Sequence, residues 1–163
     1  MTPAQLAKTG SESAHQIALF AWASVAYNHG FELAQLWLDG GNVAVDTLSE
    51  PAVPELKWIH HIPNGGSRGN DVRSQQIRGA KLKAEGVRSG VSDICLPVRR
   101  AGCSGLYIEM KRPSEKPKRE GSRGGISDEQ RDFGAFIQSQ GFGFVVCYSW
   151  EEARDIIIAY LKS

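Results

Sequence analysis

Gly105-Leu106-Tyr107-Ile108-Glu109-Met110-Lys111 is the stretch that decides how this chain folds. Alternate residues of a strand share a face. Leu106, Ile108 and Met110 therefore line one side, to be packed against a helix, and Tyr107, Glu109 and Lys111 line the other. A carboxylate and an ammonium two residues apart on an apolar strand have two explanations. One is a local ion pair on a solvated sheet face; the other is a site. The tripeptide Glu109-Met110-Lys111 by itself favours the first.

The preceding segment shifts the balance. Residues 91–98 and 105–111 read as two strands joined by a short loop, an antiparallel hairpin. With Pro97 opposite Gly105, stepping four residues back along one strand and forward along the other brings Asp93 opposite Glu109 on one face. Two opposed carboxylates repel and weaken a purely structural sheet. A divalent cation between them removes the objection, because hard oxygen ligands suit magnesium or manganese. Lys111 lies one step along the same face, in reach of an attacking water or a phosphate oxygen.

Ser127-Asp128-Glu129-Gln130 opens a helix over 127–141 and has the form of a capping box. Gln130, Phe133 and Ile137 share the face turned to the sheet, so Gln130 can also reach the strand ends that carry the carboxylates. Both readings stand.

Outward from this centre, 11–28 reads as a helix capped by Ser11 or Ser13 and followed by Gly30. Ile17, Leu19, Phe20, Trp22, Val25 and Tyr27 point nearly all round its axis, as in a helix buried on several sides. The cover is either a second subunit, with Trp22, Phe20 and Trp37 as interface anchors, or residues 31–56 folding back within the chain. Residues 29–55, with a short helix over 31–38, a Gly40-Gly41 turn and Pro51 and Pro54, read as an insertion. A strand over 56–62 is closed by Pro63-Asn64-Gly65-Gly66. A helix over 70–85 stops at Gly86, 142–148 reads as a buried strand, and 149–161 as a closing helix. His60 and His61 alternate faces and read as structural. The expected fold is α/β of the α+β kind, a small mixed β-sheet flanked by helices in one domain over 1–163.

The composition is globular: 163 residues, 41% hydrophobic and 23% charged, with a net charge of only +1. Any basic surface must therefore come from local clustering. Between Lys111 and Arg123 stand six basic and two acidic residues among prolines and glycines. This suits a mobile phosphate-binding loop, with a solvated connection as the rival. Cys95, Cys103 and Cys147 lack zinc spacing and fit a reducing cytoplasm. No leader peptide is evident, and the apolar run 17–27 is short of the roughly 20 residues of a membrane span.

Four pieces carry a family resemblance. They are Pro63-Asn64-Gly65-Gly66-Ser67-Arg68, Gly86-Val87-Arg88-Ser89-Gly90-Val91-Ser92-Asp93, Gly105 to Lys111, and Ser127 to Gln130. In this order, and with the closing helix, they resemble the virus-type replication-repair nuclease (VRR-NUC) family of the PD-(D/E)xK superfamily, over 56–163 and the first helix. Ser92 stands where many relatives have proline, a mild departure because the carboxylate after it does the chemistry.

The resemblance implies a restriction-endonuclease-like core of helix, three strands, helix and strand. It implies a Mg2+ ion, with Mn2+ as a substitute, held by Asp93, Glu109 and Glu12 and by a backbone carbonyl at Ile108 or Met110. Lys111 would be catalytic, with Gln130 and Glu12 in support; the plain reading of Glu12 is first-turn charge favoured by the helix dipole. DNA contacts are expected from Arg68, Arg88, Arg112, Lys116, Lys118 and Arg119.

The implied activity is that of a metal-dependent, structure-selective endodeoxyribonuclease of DNA replication and repair. It would be a Holliday-junction resolvase-like enzyme of phage or prophage origin, a homodimer on branched DNA in the bacterial or infected-host cytoplasm. Two alternatives stay open: a non-catalytic nucleic-acid-binding module, and a restriction-type or flap nuclease on the same core. Retention of Asp93, Glu109 and Lys111 argues against the first. The second needs recognition elements, for which only 29–55 is spare.

Overall fold

A computed structural model of the chain describes residues 3–38, 40, 50–63, 72–119 and 121–163. After a short helix α1 (Pro3–Leu6) come α2 (Glu12–Leu38), β1 (His60–His61), α3 (Val72–Ala84), β2 (Ile94–Leu96), β3 (Leu106–Met110), α4 (Asp128–Ser139), β4 (Gly143–Cys147) and α5 (Trp150–Leu161). The strands form one sheet in the order β1-β2-β3-β4. β1–β2 and β2–β3 are antiparallel, and β3–β4 is parallel. This is the small mixed sheet of an α+β fold.

The two faces of β3 divide as the alternation predicts. Leu106, Ile108 and Met110 are at most 3% exposed. Beside them on the same face lie Ile94 and Leu96 of β2 and Cys147 of β4, and α2 and α5 cover this layer through Leu19, Trp22, Ala153 and Ile157. The opposite face carries Tyr107, whose ring meets Phe133 of α4 and Phe142 edge-on at 5.4 and 5.6 Å. Helices on both faces leave Glu109 and Lys111 in the interior.

The first helix corrects its sequence reading. Its buried residues form one broad stripe, largely of alanine: Ala14, His15, Ala18, Leu19, Trp22, Ala23 and Ala26. Small side chains let α2 lie close on the core, whereas Ile17 is 53% exposed. Trp22, an interface anchor under the first of the two readings, is 1% exposed and stacks on Phe31 with ring centroids 6.1 Å apart, as the second reading, cover within the chain, has it. Phe20 and Trp37 are half-buried. The helix runs on to Leu38 with a break at Gly30, whose φ of 86° and ψ of 168° turn the chain so that Phe31 meets Trp22.

Part of the expected cover within the chain is also present. Val53 N donates to the Tyr27 carbonyl at 3.1 Å, and Val53, Leu56 and Ile59 are buried in the shared core. The strand expected over 56–62 is shorter for the same reason. Pro54 opens a 3₁₀ turn, Pro54–Trp58, which sets Leu56 against α2, and only His60 and His61 pair with β2. The Pro63–Gly66 turn beyond Pro63, with Arg68, falls on 64–71, and most of the Gly40-Gly41 turn and the segment after it on 41–49; these residues lie outside those described. Cys95 and Cys147 are buried free thiols, and burial pushes the Cys147 thiol up to about 12. Among the described residues no helix is long and apolar enough to cross a membrane.

Candidate active site

The hairpin register is the expected one. Ile94 lies opposite Ile108, Cys95 opposite Tyr107 and Leu96 opposite Leu106, which continues to Asp93 opposite Glu109. Asp93 stands one residue before β2, where the ladder ends. Its Oδ2 accepts a hydrogen bond from Met110 N at 2.9 Å. The Asp93 carbonyl oxygen accepts from Ile62 N at 2.7 Å and from His61 Nδ1 at 2.9 Å. The Asp93 side chain thus supplies the acceptor that Met110 N loses where the strands part.

Glu109 is 1% exposed. Its Oε1 receives two donors, the Lys111 ammonium at 3.0 Å and the side-chain amide of Gln130. Its Oε2 is buried with no hydrogen-bond partner. Burial pushes the Glu109 carboxyl up to about 7, the Asp93 charge adds to the rise, and Lys111 opposes it. An unpartnered carboxylate oxygen in the interior costs about 1–3 kcal/mol or more. Structure alone gives no reason to keep it.

Both readings of Gln130 hold. Its backbone N donates to Ser127 Oγ at 3.2 Å, and its Oε1 accepts from Ser127 N at 2.9 Å, which closes the capping box. The amide nitrogen left over serves Glu109. Lys111 is 7% exposed. Burial lowers its pKa, but the Glu109 contact and the charges of Glu109, Glu12 and Asp93 outweigh that and leave it raised. The lysine is therefore held as a cation.

Glu12 opens α2 within range of this cluster. Burial raises its carboxyl, Lys111 opposes the rise, and Glu115 and Asp93 add to it. The sequence does not single out Glu115. Its carboxylate accepts from Arg112 N at 3.0 Å, a local cap visible only as Arg112-Pro113-x-Glu115. Among the described residues no three His, Cys, Asp or Glu side chains already converge as a metal cage. The unpartnered Glu109 Oε2, which feels the charges of Asp93 and Glu12, is a hard oxygen donor of the kind a small cation takes, with one or two carboxylates and its own waters.

The basic residues are spread about the centre. Arg112 is exposed directly after Lys111, and Arg88 is exposed beside a cavity of about 330 Å3 with Ile62, Pro63, Val87 and Val91. Lys116, Lys118 and Arg119 line an open cleft with Ser114, Glu115 and Ser122. Three contacts tie this loop down. Lys116 pairs with Glu152, Arg123 with Asp128 at 3.1 Å, and Tyr148 Oη donates to the Gly124 carbonyl at 3.1 Å. Lys118 and Arg119 have no acidic partner among the described residues.

The fold is thus α+β, a small mixed sheet between helices, with two carboxylates and a lysine where its central strands part. The model of the VRR-NUC domain matches residues 56–151. The chain belongs to the VRR-NUC family. A solved structure described as a VRR_NUC domain protein is similar at 20% identity, with a TM-score of 0.56, over 93% of this chain and 88% of that one. A search of curated proteins finds no match.

Proposed function

We propose that this chain is a divalent-metal-dependent endonuclease that hydrolyses phosphodiester bonds in branched or structured DNA. The observation that carries the reading is Glu109: a buried carboxylate, raised to about 7, with one oxygen gripped by Lys111 and Gln130 and the other left without a partner. Asp93, Glu109 and Glu12 would hold a magnesium ion. Such an ion lowers the pKa of bound water and offsets the charge of a phosphoryl oxygen. The chain's own groups do the rest. Lys111 keeps a fixed positive charge where negative charge grows on the phosphate, and Gln130 and the Lys111 contact hold Glu109 in one orientation. The positive charges of Arg88, Arg112, Lys118 and Arg119 lie around this centre for the DNA backbone.

A homodimer is proposed with it, because a four-way junction needs symmetric cuts on two strands and one domain offers one site. With Trp22 inside the core, that proposal rests on the chemistry of the substrate and no longer on the first helix. The test is cleavage of a four-way junction, a flap and a linear duplex in magnesium with an EDTA control, paired with light scattering at micromolar concentration. Magnesium-dependent paired cuts by a dimer are expected. Absence of cleavage on every substrate removes the nuclease reading; a monomer that nicks flaps without paired cuts removes the junction and dimer readings alone.

A further inference from the structure

Glycine inside a helix weakens it relative to alanine, so a buried one needs a packing reason. Helix α4 carries Gly134 at a buried position. A methyl group built on Gly134 would lie 2.6 Å from Cε1, 2.8 Å from Cδ1 and 2.9 Å from Cζ of Phe144. Phe144 stands beside Tyr107 in the parallel ladder, and Tyr107 meets Phe133 at 5.4 Å. Gln130, Phe133 and Gly134 share one helix face, and Tyr107 and Glu109 share one strand face. The turn of α4 that rests on Phe144 and Tyr107 therefore follows directly on the turn that brings Gln130 to Glu109.

The start of α4 is held as closely from another side. Gly90, at φ +85°, lies so near that a methyl group there would be 2.6 Å from the Glu129 carbonyl oxygen and 2.7 Å from its carbon. Glu129 adjoins Gln130, and Gly90 stands three residues before Asp93. The Gln130 side chain has no slack to follow a displaced helix. Its Oε1 is bound to Ser127 N at 2.9 Å while its amide nitrogen is bound to Glu109.

We propose that Gly134 and Gly90 are positioning residues that set the height of α4 over β3 and so hold Gln130 against Glu109; the catalytic consequence rests on the nuclease reading of this site. Close-packed interiors pass on such a displacement rather than absorb it. A methyl group at Gly134 lifts the helix one turn from Gln130 and loosens the grip on Glu109.

The test is Gly134→Ala, read by turnover, by KM for DNA, and by the Gln130 side-chain amide signals in NMR of the metal-free protein. Turnover is expected to fall about tenfold or more, as small misplacements of such groups do, with KM little changed and the amide signals displaced. Adding Phe144→Leu, which returns the space, is expected to restore both. Gly90→Ala clashes with backbone and is not rescued by Phe144→Leu. In a Gln130→Ala background Gly134→Ala is expected to add no further loss, since both act through one contact. Folded Gly134→Ala protein with wild-type turnover and unshifted amide signals overturns the proposal, and so do losses that simply multiply. If Gly134→Ala does not fold alone, the Gly134→Ala/Phe144→Leu protein and Gly90→Ala carry the comparison, and wild-type turnover with unshifted signals in Gly90→Ala overturns it equally. A wild-type protein that cuts no DNA defeats the nuclease reading, while the amide signals still decide the positioning.

Discussion

The side-chain amide of Gln130 and the ammonium of Lys111 meet on the same oxygen of Glu109, Oε1, and leave Oε2 buried and without a partner. One oxygen of this carboxylate is thus held by two donors, and the other meets none.

Loss of either carboxylate should end activity without ending the fold. Asp93→Asn keeps an oxygen for Met110 N, so far-UV circular dichroism should stay native. Cleavage should fall by more than about 100-fold, because even indirect disturbance of a metal's surroundings costs 10- to 100-fold. Native structure with full cleavage in Asp93→Asn or Glu109→Gln would remove the assignment.

Lys111 should act on turnover rather than affinity. Lys111→Ala is expected to lower the single-turnover rate by about 100-fold or more and to change DNA affinity little, because its charge is needed as the phosphate gains charge. If affinity collapses while bound DNA is cut at the normal rate, Lys111 is an anchor for phosphate.

The basic loop should behave in the opposite way, and unevenly. Neutralising Lys118 or Arg119 should weaken binding across sequences and lower the salt slope by about one each. Lys116→Ala should do less, because its ammonium is already committed to Glu152. Binding isotherms at several salt concentrations check this; equal effects at all three positions would contradict it.

In metal-free buffer the protein should lose stability as pH rises. Glu109 has an ordinary value of 4.5 and is raised to about 7 in the fold, first by burial and then by Asp93. Between those values the folded state binds the proton that the unfolded state has released, so unfolding free energy falls with pH. The contribution is fully present below about 4.5, lost by about 7, and on the order of 3 kcal/mol in all. Urea melts in EDTA from pH 4.5 to 8 measure it. Glu109→Gln should remove most of the slope, whatever its absolute stability without the carboxylate that Lys111 now pairs with, leaving the smaller part that the raised Glu12 carboxyl adds, and Asp93→Asn should shallow it. A slope unchanged in Glu109→Gln places the titration elsewhere.

Much of this was legible in the residues because strand geometry is local. The alternation from Leu106 to Lys111 sorted core from site, and the loop length set the register that puts Asp93 beside Glu109. The Ser127–Gln130 signature located the start of α4. The first helix was misjudged because counting large apolar residues overlooks alanine. The stripe from Ala14 to Ala26 is what lies on the core, and the fold-back at Gly30 puts Trp22 inside. The strand over 56–62 was too long because Pro54 and the packing of Leu56 on α2 favour a 3₁₀ turn over period-two alternation.

By itself, then, the sequence determined which residues could share the site: the face of β3, the opposition of two carboxylates and the lysine one step on follow from the pleat of a hairpin. Only the tertiary structure decided what those residues became. The covering of both sheet faces by helices took Glu109 out of water and raised it to about 7. The approach of α4 brought Gln130 onto one of its oxygens, and the meeting of the basic loop with α5 bound Lys116 to Glu152. Burial and pairing depend on what segments distant in the chain bring to a group, and no local pattern of residues encodes that distance.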